Sequence, residues 1–306
     1  MINIEKMWEN DGLKEHINTN KQMLIDFYDM QINDCLNYNI LDNYENDLVI
    51  TTTAYNSIPY IEYQIKAIKR FITDKYQHVI FDGNNTPEKE FISKEIQKLC
   101  INNNVGYIKF MKDPWRPCKA EASYAIGAKM NWIYYNFILE KKIKYFGFIE
   151  QDIMPIKTID SLIKILDEKN MYGRYYRPVH GPGREKFPDS YTFHCDVHFI
   201  KTDFVKKYNL NFLADWQNTS LDTGGRNYHT FYKYHNPEEF HLISIVRDYT
   251  PNSHEFEDNY CMLIDDKWIH FYHGSGDNLN IQKLDGKFKF MEKFMGICRV
   301  RVWYSQ

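Results

Sequence analysis

Two carboxylates one residue apart, Glu150 and Asp152 in Glu150-Gln151-Asp152, stand directly after the apolar run Tyr145-Phe146-Gly147-Phe148-Ile149. On an extended chain, residues i and i+2 point to the same side. The pair therefore concentrates negative charge at the end of a buried strand, where a cation is the satisfying partner. Hard divalent ions such as Mg²⁺ and Mn²⁺ take carboxylate oxygen and keep positions open for phosphate. A solvated turn or helix cap is the plainer reading of the same pair. Two further strand ends are polar: Tyr55-Asn56 after Leu48-Val49-Ile50-Thr51-Thr52, and Asp82 after His78-Val79-Ile80-Phe81. Between them and the acidic pair, the prolines of Asp113-Pro114-Trp115-Arg116-Pro117-Cys118-Lys119 hold off helix formation. Arg116 and Lys119 in that loop offer charge-assisted donors to a phosphate, or else form a solvated basic surface.

The elements that must position these groups are legible from periodicity. Ile61, Ile65, Ile68 and Ile72 recur at one helical face, and Thr86-Pro87-Glu88 opens a second helix with the stripe Ile92, Ile96 and Leu99. Val105 to Phe110 reads as a strand, and Ile126, Met130, Ile133 and Phe137 mark a long helix that closes on Lys141-Lys142. Strand and helix alternate from residue 47 onward, which predicts an α/β fold with a mostly parallel central sheet flanked by helices. Ligands of such sheets bind beyond the carboxyl ends of the strands, where the polar groups above lie. Residues 1–46 read as an N-terminal helical extension, marked by Met23, Leu24, Phe27, Met30 and Ile32, and a polar linker. One α/β domain then spans 47–306, regular over 47–156 and less regular over 157–306. In the second half His194 to Ile200 reads as a strand, a helix is expected near Phe204 to Tyr208, and another opens at Leu221 to Arg226. Near the end, an amphipathic helix is expected over Asp285 to Met295 and an edge strand over Arg299 to Tyr304.

Composition removes several classes. Lys+Arg 38 against Asp+Glu 41 gives a net charge of -3, which leaves no basic field for coating a nucleic acid. No window approaches the roughly 18 apolar residues of a membrane span. The six scattered cysteines show neither C-x-x-C nor zinc spacing, and with an amino terminus lacking an apolar signal core they point to a reducing, cytoplasmic setting. There is no Walker A loop and no G-x-G-x-x-G opening a helix, so P-loop kinases and nicotinamide enzymes are disfavoured.

Taken in order, Thr51-Thr52-Thr53-Ala54-Tyr55-Asn56, then Phe81-Asp82-Gly83-Asn84-Asn85-Thr86, then Phe148-Ile149-Glu150-Gln151-Asp152 resemble the nucleotide-binding half of family-2-like glycosyltransferases of the GT-A fold. The resemblance covers about residues 47–156, with Glu150 in place of the first Asp of the usual metal motif. It implies a nucleoside-diphosphate sugar as donor, UDP- or GDP-linked, a Mn²⁺ or Mg²⁺ cofactor, and a glycan or other hydroxyl as acceptor. Asp82 is expected to face the base, with Thr53, Tyr55, Asn56, Gln151, Arg116 and Lys119 around the nucleotide. Glu150 and Asp152 are expected to hold the metal. A late histidine beside a glycine turn often completes such sites. Here Trp268-Ile269-His270-Phe271-Tyr272-His273-Gly274-Ser275-Gly276 supplies His273, favoured by its place next to the turn, and His270 as the alternative. Asp222, in Leu221-Asp222-Thr223-Gly224-Gly225-Arg226, is the expected general base, with Asp215 and Trp216 a second choice; helix capping is its plain reading. A sugar nucleotidyltransferase would carry a glycine-rich basic loop where Ala54-Tyr55-Asn56-Ser57 stands. A binding protein that kept the fold and lost the chemistry is the non-enzymatic alternative.

Overall fold

The computed structural model describes residues 21–41, 44, 48–112, 122–178, 182–216, 218–249 and 261–271. Its centre is four parallel strands. β2 (Leu48–Ala54) lies between β3 (Tyr76–Asp82) and β5 (Tyr145–Ile149), and β4 (Gly106–Lys109) flanks β3. They are numbered after β1 (Leu36–Tyr38), which pairs antiparallel with β4 at the sheet's edge. The segment read as a polar linker therefore contributes a strand.

Helices cover both faces, as the alternation of element types requires. On one face α2 (Ile58–Phe71) and α3 (Glu90–Asn103) bury Ile61, Ile65, Ile96 and Cys100 against Ile80 and Tyr107. α2 begins with Pro59 in its first turn and ends on Lys69 and Arg70, which suit the helix dipole. On the other face α4 (Ala122–Ile133) runs into a π-helical turn at Tyr134–Ile138 and packs on Phe81, Phe110, Phe146 and Phe148. The amino-terminal helix α1 (Lys21–Tyr28) joins that same core through Leu24 and Phe27. Trp132 Nε1 donates to the Met30 carbonyl at 2.8 Å and Asn136 Nδ2 to the Tyr28 carbonyl at 2.8 Å.

Beyond β5 the sheet changes direction. β8 (Thr192–Lys201) runs antiparallel to β5, β7 (Met171–Tyr176) antiparallel to β8, and β9 (His241–Ile243) parallel to β7, giving an eight-stranded sheet. A second, four-stranded sheet is antiparallel throughout: β10 (Ile245–Tyr249), β11 (Cys261–Ile264), β12 (Trp268–Phe271) and β6 (Ile153–Pro155). The helix expected near Phe204 is the short turn Thr202–Val205, and the one expected to open at Leu221 starts later, at Asn227–Thr230. Gly224 explains the delay: its φ of +86° lies in the left-handed region that favours glycine, and it bends the chain before the helix. The stretches 285–295 and 299–304 lie outside the described residues. Among the described residues no helix is long and apolar enough to cross a membrane.

Candidate metal and donor site

Glu150 leaves the carboxyl end of β5, and the chain turns at once instead of running on extended. Ile153 N donates back to the Glu150 carbonyl at 3.1 Å, so Gln151 and Asp152 occupy a tight turn that leads into β6. The two carboxylates converge because of that turn, which corrects the expectation from strand alternation. β6 then pairs with β12, and the register that sets His270 opposite Ile153 swings its imidazole over the turn. Phe271 N donates to the Asp152 carbonyl at 3.0 Å and pins the arrangement. One ligand atom from each of Glu150, Asp152 and His270 lies within 4.8 Å of the others. His270 Nε2 is 3.7 Å from Asp152 Oδ1 and 3.9 Å from Glu150 Oε2. Two hard oxygens and one imidazole nitrogen, all largely buried, make a donor set that fits a divalent cation. Of the two late histidines, His270 is described and is brought to the carboxylates; His273 lies outside the described residues.

Strong electrostatics surround these three side chains. Burial, with the charge of Asp152 next, pushes the Glu150 pKa up from 4.5 to about 8. Burial also lowers the His270 pKa, against the opposing pull of Asp152, and keeps the ring a neutral ligand. The Cys195 thiol donates to Glu150 Oε1 at 2.8 Å, and burial raises its pKa well above the ordinary thiol range. Behind His270, Asp196 is fully buried, with Oδ2 3.8 Å from His270 Nδ1. Burial alone would raise its pKa, but the Arg174 guanidinium paired with it and His194 at 3.3 Å hold it well below the carboxylate range.

These shifts predict a pH dependence. Unfolded Glu150 ionises near 4.5 and folded Glu150 near 8, so between those values the folded protein holds the extra proton. Its contribution to stability is complete below about pH 4.5 and is lost as pH rises through about 8. Cation binding needs the ionised carboxylate and expels that proton. Mn²⁺ affinity measured by calorimetry is therefore expected to rise up to tenfold per pH unit from pH 6 to about 8 and then level off. A flat profile would show that Glu150 is already ionised.

The remaining candidates fall into distinct places. Gln151 closes the site but turns its amide inward: Oε1 accepts Tyr55 N at 2.7 Å and Nε2 donates to the Tyr55 carbonyl at 2.8 Å. That clasp ties the end of β2 to the end of β5, and it corrects the expectation of a nucleotide contact through this side chain. Asp82 also departs from the reading that it faces a base. It is fully buried, Oδ1 accepts Asn84 N and Nδ2 at 2.8 and 2.7 Å, and Oδ2 accepts Ser93 Oγ and Tyr107 Oη at 2.6 and 2.8 Å. Its lone pairs are used in shaping the loop after β3. Asn56 is in the left-handed region at φ 59° and donates its N–H to Asn84 Oδ1 at 2.9 Å, which joins the loops after β2 and β3. Thr53 lines, with Glu150 and Cys195, a cavity of about 10 Å³ under the site. Tyr55 lies beneath two cations, with Lys89 Nζ 3.4 Å and Lys129 Nζ 5.5 Å from its ring centre. Arg116 and Lys119 lie outside the described residues.

Asp222 is half-buried in the turn before Asn227, and Oδ1 accepts Thr223 N at 2.6 Å. Its charge acts on Glu150, Cys195 and Tyr176, which places it at the rim of the acidic cluster. Asp215, the second choice, is buried under His229 Nε2 at 3.0 Å, and Asn218 and Thr219 complete its hydrogen bonds; Trp216 beside it is exposed.

Four contributors were missed in the sequence. Lys129 is buried on α4, and its Nζ lies 2.6 Å from where a Cβ on Gly83 would stand, so a side chain at Gly83 would displace the ammonium from this position. Gln64 on α2 holds the turn from below. Arg174 and Asp196 form the buried pair behind His270. Three of the four had a signal, a polar residue at a position the apolar pattern assigns to the interior: Gln64 beside Ile61 and Ile65, Lys129 beside Ala128 and Met130, Asp196 between Cys195 and Val197.

No family model matches the sequence, and no curated protein matches it. Among solved structures the chain is similar to the mannosyltransferase Ktr4p from S. cerevisiae, with 12% identity and a TM-score of 0.36 over 65% of this chain and 68% of that one. It is similar to a mannosyltransferase from Pyrobaculum calidifontis in complex with GDP-Man and Mn²⁺, with 10% identity and a TM-score of 0.30 over 63% of this chain and 55% of that one. It is also similar to glucosyl-3-phosphoglycerate synthase from Mycobacterium tuberculosis in complex with uridine-diphosphate, with 10% identity and a TM-score of 0.39 over 90% of this chain and 88% of that one.

Proposed function

We propose that the chain transfers a sugar from a nucleoside-diphosphate donor to an acceptor hydroxyl, with Mn²⁺ or Mg²⁺ held by Glu150, Asp152 and His270. The observation that carries this reading is the meeting of those three side chains at the carboxyl edge of the parallel strands, where α/β sheets take their ligands. The cation, when bound, supplies Lewis-acid stabilisation to the leaving diphosphate. The chain's own residues do the rest. The clasp of Gln151 on Tyr55 and the bond from Asn56 to Asn84 fix the strand ends as one wall for the nucleotide. Lys129 and Lys89 bring positive charge to that wall, and Arg116 and Lys119 are proposed as further phosphate donors. Asp222 takes the proton of the acceptor hydroxyl if the reaction inverts, with its carboxylate oriented by Thr223 N. His273 is kept as a second histidine for the cation. The test is incubation of purified protein with UDP- and GDP-sugars, with and without Mn²⁺. Mn²⁺-dependent release of nucleoside diphosphate is expected for at least one donor. The absence of both release and nucleotide binding across the whole panel would overturn the proposal.

A further inference from the structure

The turn that carries the candidate ligands is fixed from below by a chain of buried side chains that touch neither donor nor acceptor. Gln64 Nε2 donates to two main-chain carbonyls, those of Glu150 at 2.6 Å and Ile153 at 2.7 Å. Its Oε1 accepts the Thr52 hydroxyl at 2.8 Å, and Thr52 Oγ1 stands 3.0 Å from His78 Nε2. Gln64 and Thr52 are fully buried, and His78 is 3% exposed.

The direction of every bond is forced. With both Nε2 protons given to carbonyls, Gln64 meets Thr52 through an oxygen that only accepts. Thr52 thus gives up its one proton, and His78 must donate to it from Nε2. Burial lowers the His78 pKa to about 3, so the ring is neutral with its proton on that nitrogen. Nδ1 is then a buried acceptor without a hydrogen-bond partner, which is destabilising. A histidine kept at that cost, and uncharged, contributes its N–H to Thr52.

We infer that Gln64, oriented by Thr52 and His78, is the positioning residue of the cation site. It holds the carbonyls at both ends of the Glu150 to Ile153 turn, and so keeps the two carboxylates converged on His270. The inference rests on the cation reading of that site.

The test is Mn²⁺ titration of the purified protein without nucleotide, with free ion followed by electron paramagnetic resonance and folding followed by thermal melting. Partners that orient metal ligands change affinity by roughly 10–100-fold. Gln64→Met is expected to weaken Mn²⁺ binding by about that range, Thr52→Val by less and His78→Phe by least, while Thr52→Ser, which keeps the hydroxyl, binds as wild type does. A Gln64→Met protein that melts earlier but binds Mn²⁺ as tightly as wild type would overturn the inference. If Gln64→Met does not fold, the comparison of Thr52→Val with Thr52→Ser decides, and equal affinities overturn it. Wild-type protein that binds no Mn²⁺ would overturn the cation reading itself, an outcome distinct from unchanged affinity in the variants.

Discussion

Asp152→Asn protein is expected to lose Mn²⁺-dependent turnover by at least about a hundredfold while melting no earlier than wild type. The first half follows from ligand count: one of two hard anionic donors becomes a neutral amide, and Lewis-acid stabilisation is worth several kcal/mol, with 1.36 kcal/mol per decade of rate. The second half follows from the local field. Asp152 is a source of the repulsion that raises Glu150, so removing its charge relieves the cluster when no cation is bound. The backbone carbonyl that accepts Phe271 N is untouched, and asparagine keeps the side-chain shape. Turnover and Mn²⁺ affinity should fall together, and Glu150 should titrate nearer its ordinary range. Turnover that survives, with Mn²⁺ affinity intact, would remove Asp152 from the ligand set.

The parallel half of the fold was legible because each of its signals is local. A β-branched run, a 3.6-residue stripe and a proline in a first helical turn each report on a few neighbouring residues, and β2, α2, β3, α3, β4 and β5 appear where those signals put them. The site was half legible for the same reason. Its carboxylates follow a strand that can be read, but the register of β12 on β6 that delivers His270 joins residues more than a hundred positions apart. A neighbouring glycine turn, the cue for His273, is local and says nothing about which strand lies opposite; His273 itself lies outside the described residues. Asp82 shows the converse limit. Position at a strand end is visible in sequence, whereas Ser93 on α3 and Tyr107 on β4, which take up one of its carboxylate oxygens, are visible only once the layers are packed.

Arg174→Met is expected to be the most destabilising single substitution near the site. Arg174 and Asp196 are 6% and 0% exposed, and breaking a buried pair by removing one partner costs about 3–5 kcal/mol because a charge is left behind. What Asp196 would retain is the Val197 N–H at 2.7 Å and His194 at 3.3 Å, weaker compensation than a guanidinium. The sign with pH follows. In the wild type, Asp196 has its folded pKa depressed, so its stabilisation is present above the ordinary carboxylate pKa and is lost only as pH falls through the lower folded value. Without Arg174 that depression shrinks, and burial then penalises the ionised form. The deficit relative to wild type should therefore be largest at pH 7 and diminish toward pH 4, where the carboxyl can protonate. Urea denaturation at both pH values measures it. The double substitution Arg174→Met with Asp196→Leu should recover most of the loss, since apolar replacement of a whole buried pair is often neutral. A single-variant loss below about 1 kcal/mol, or one that does not change with pH, would show that His194 and the backbone suffice to hold the Asp196 charge.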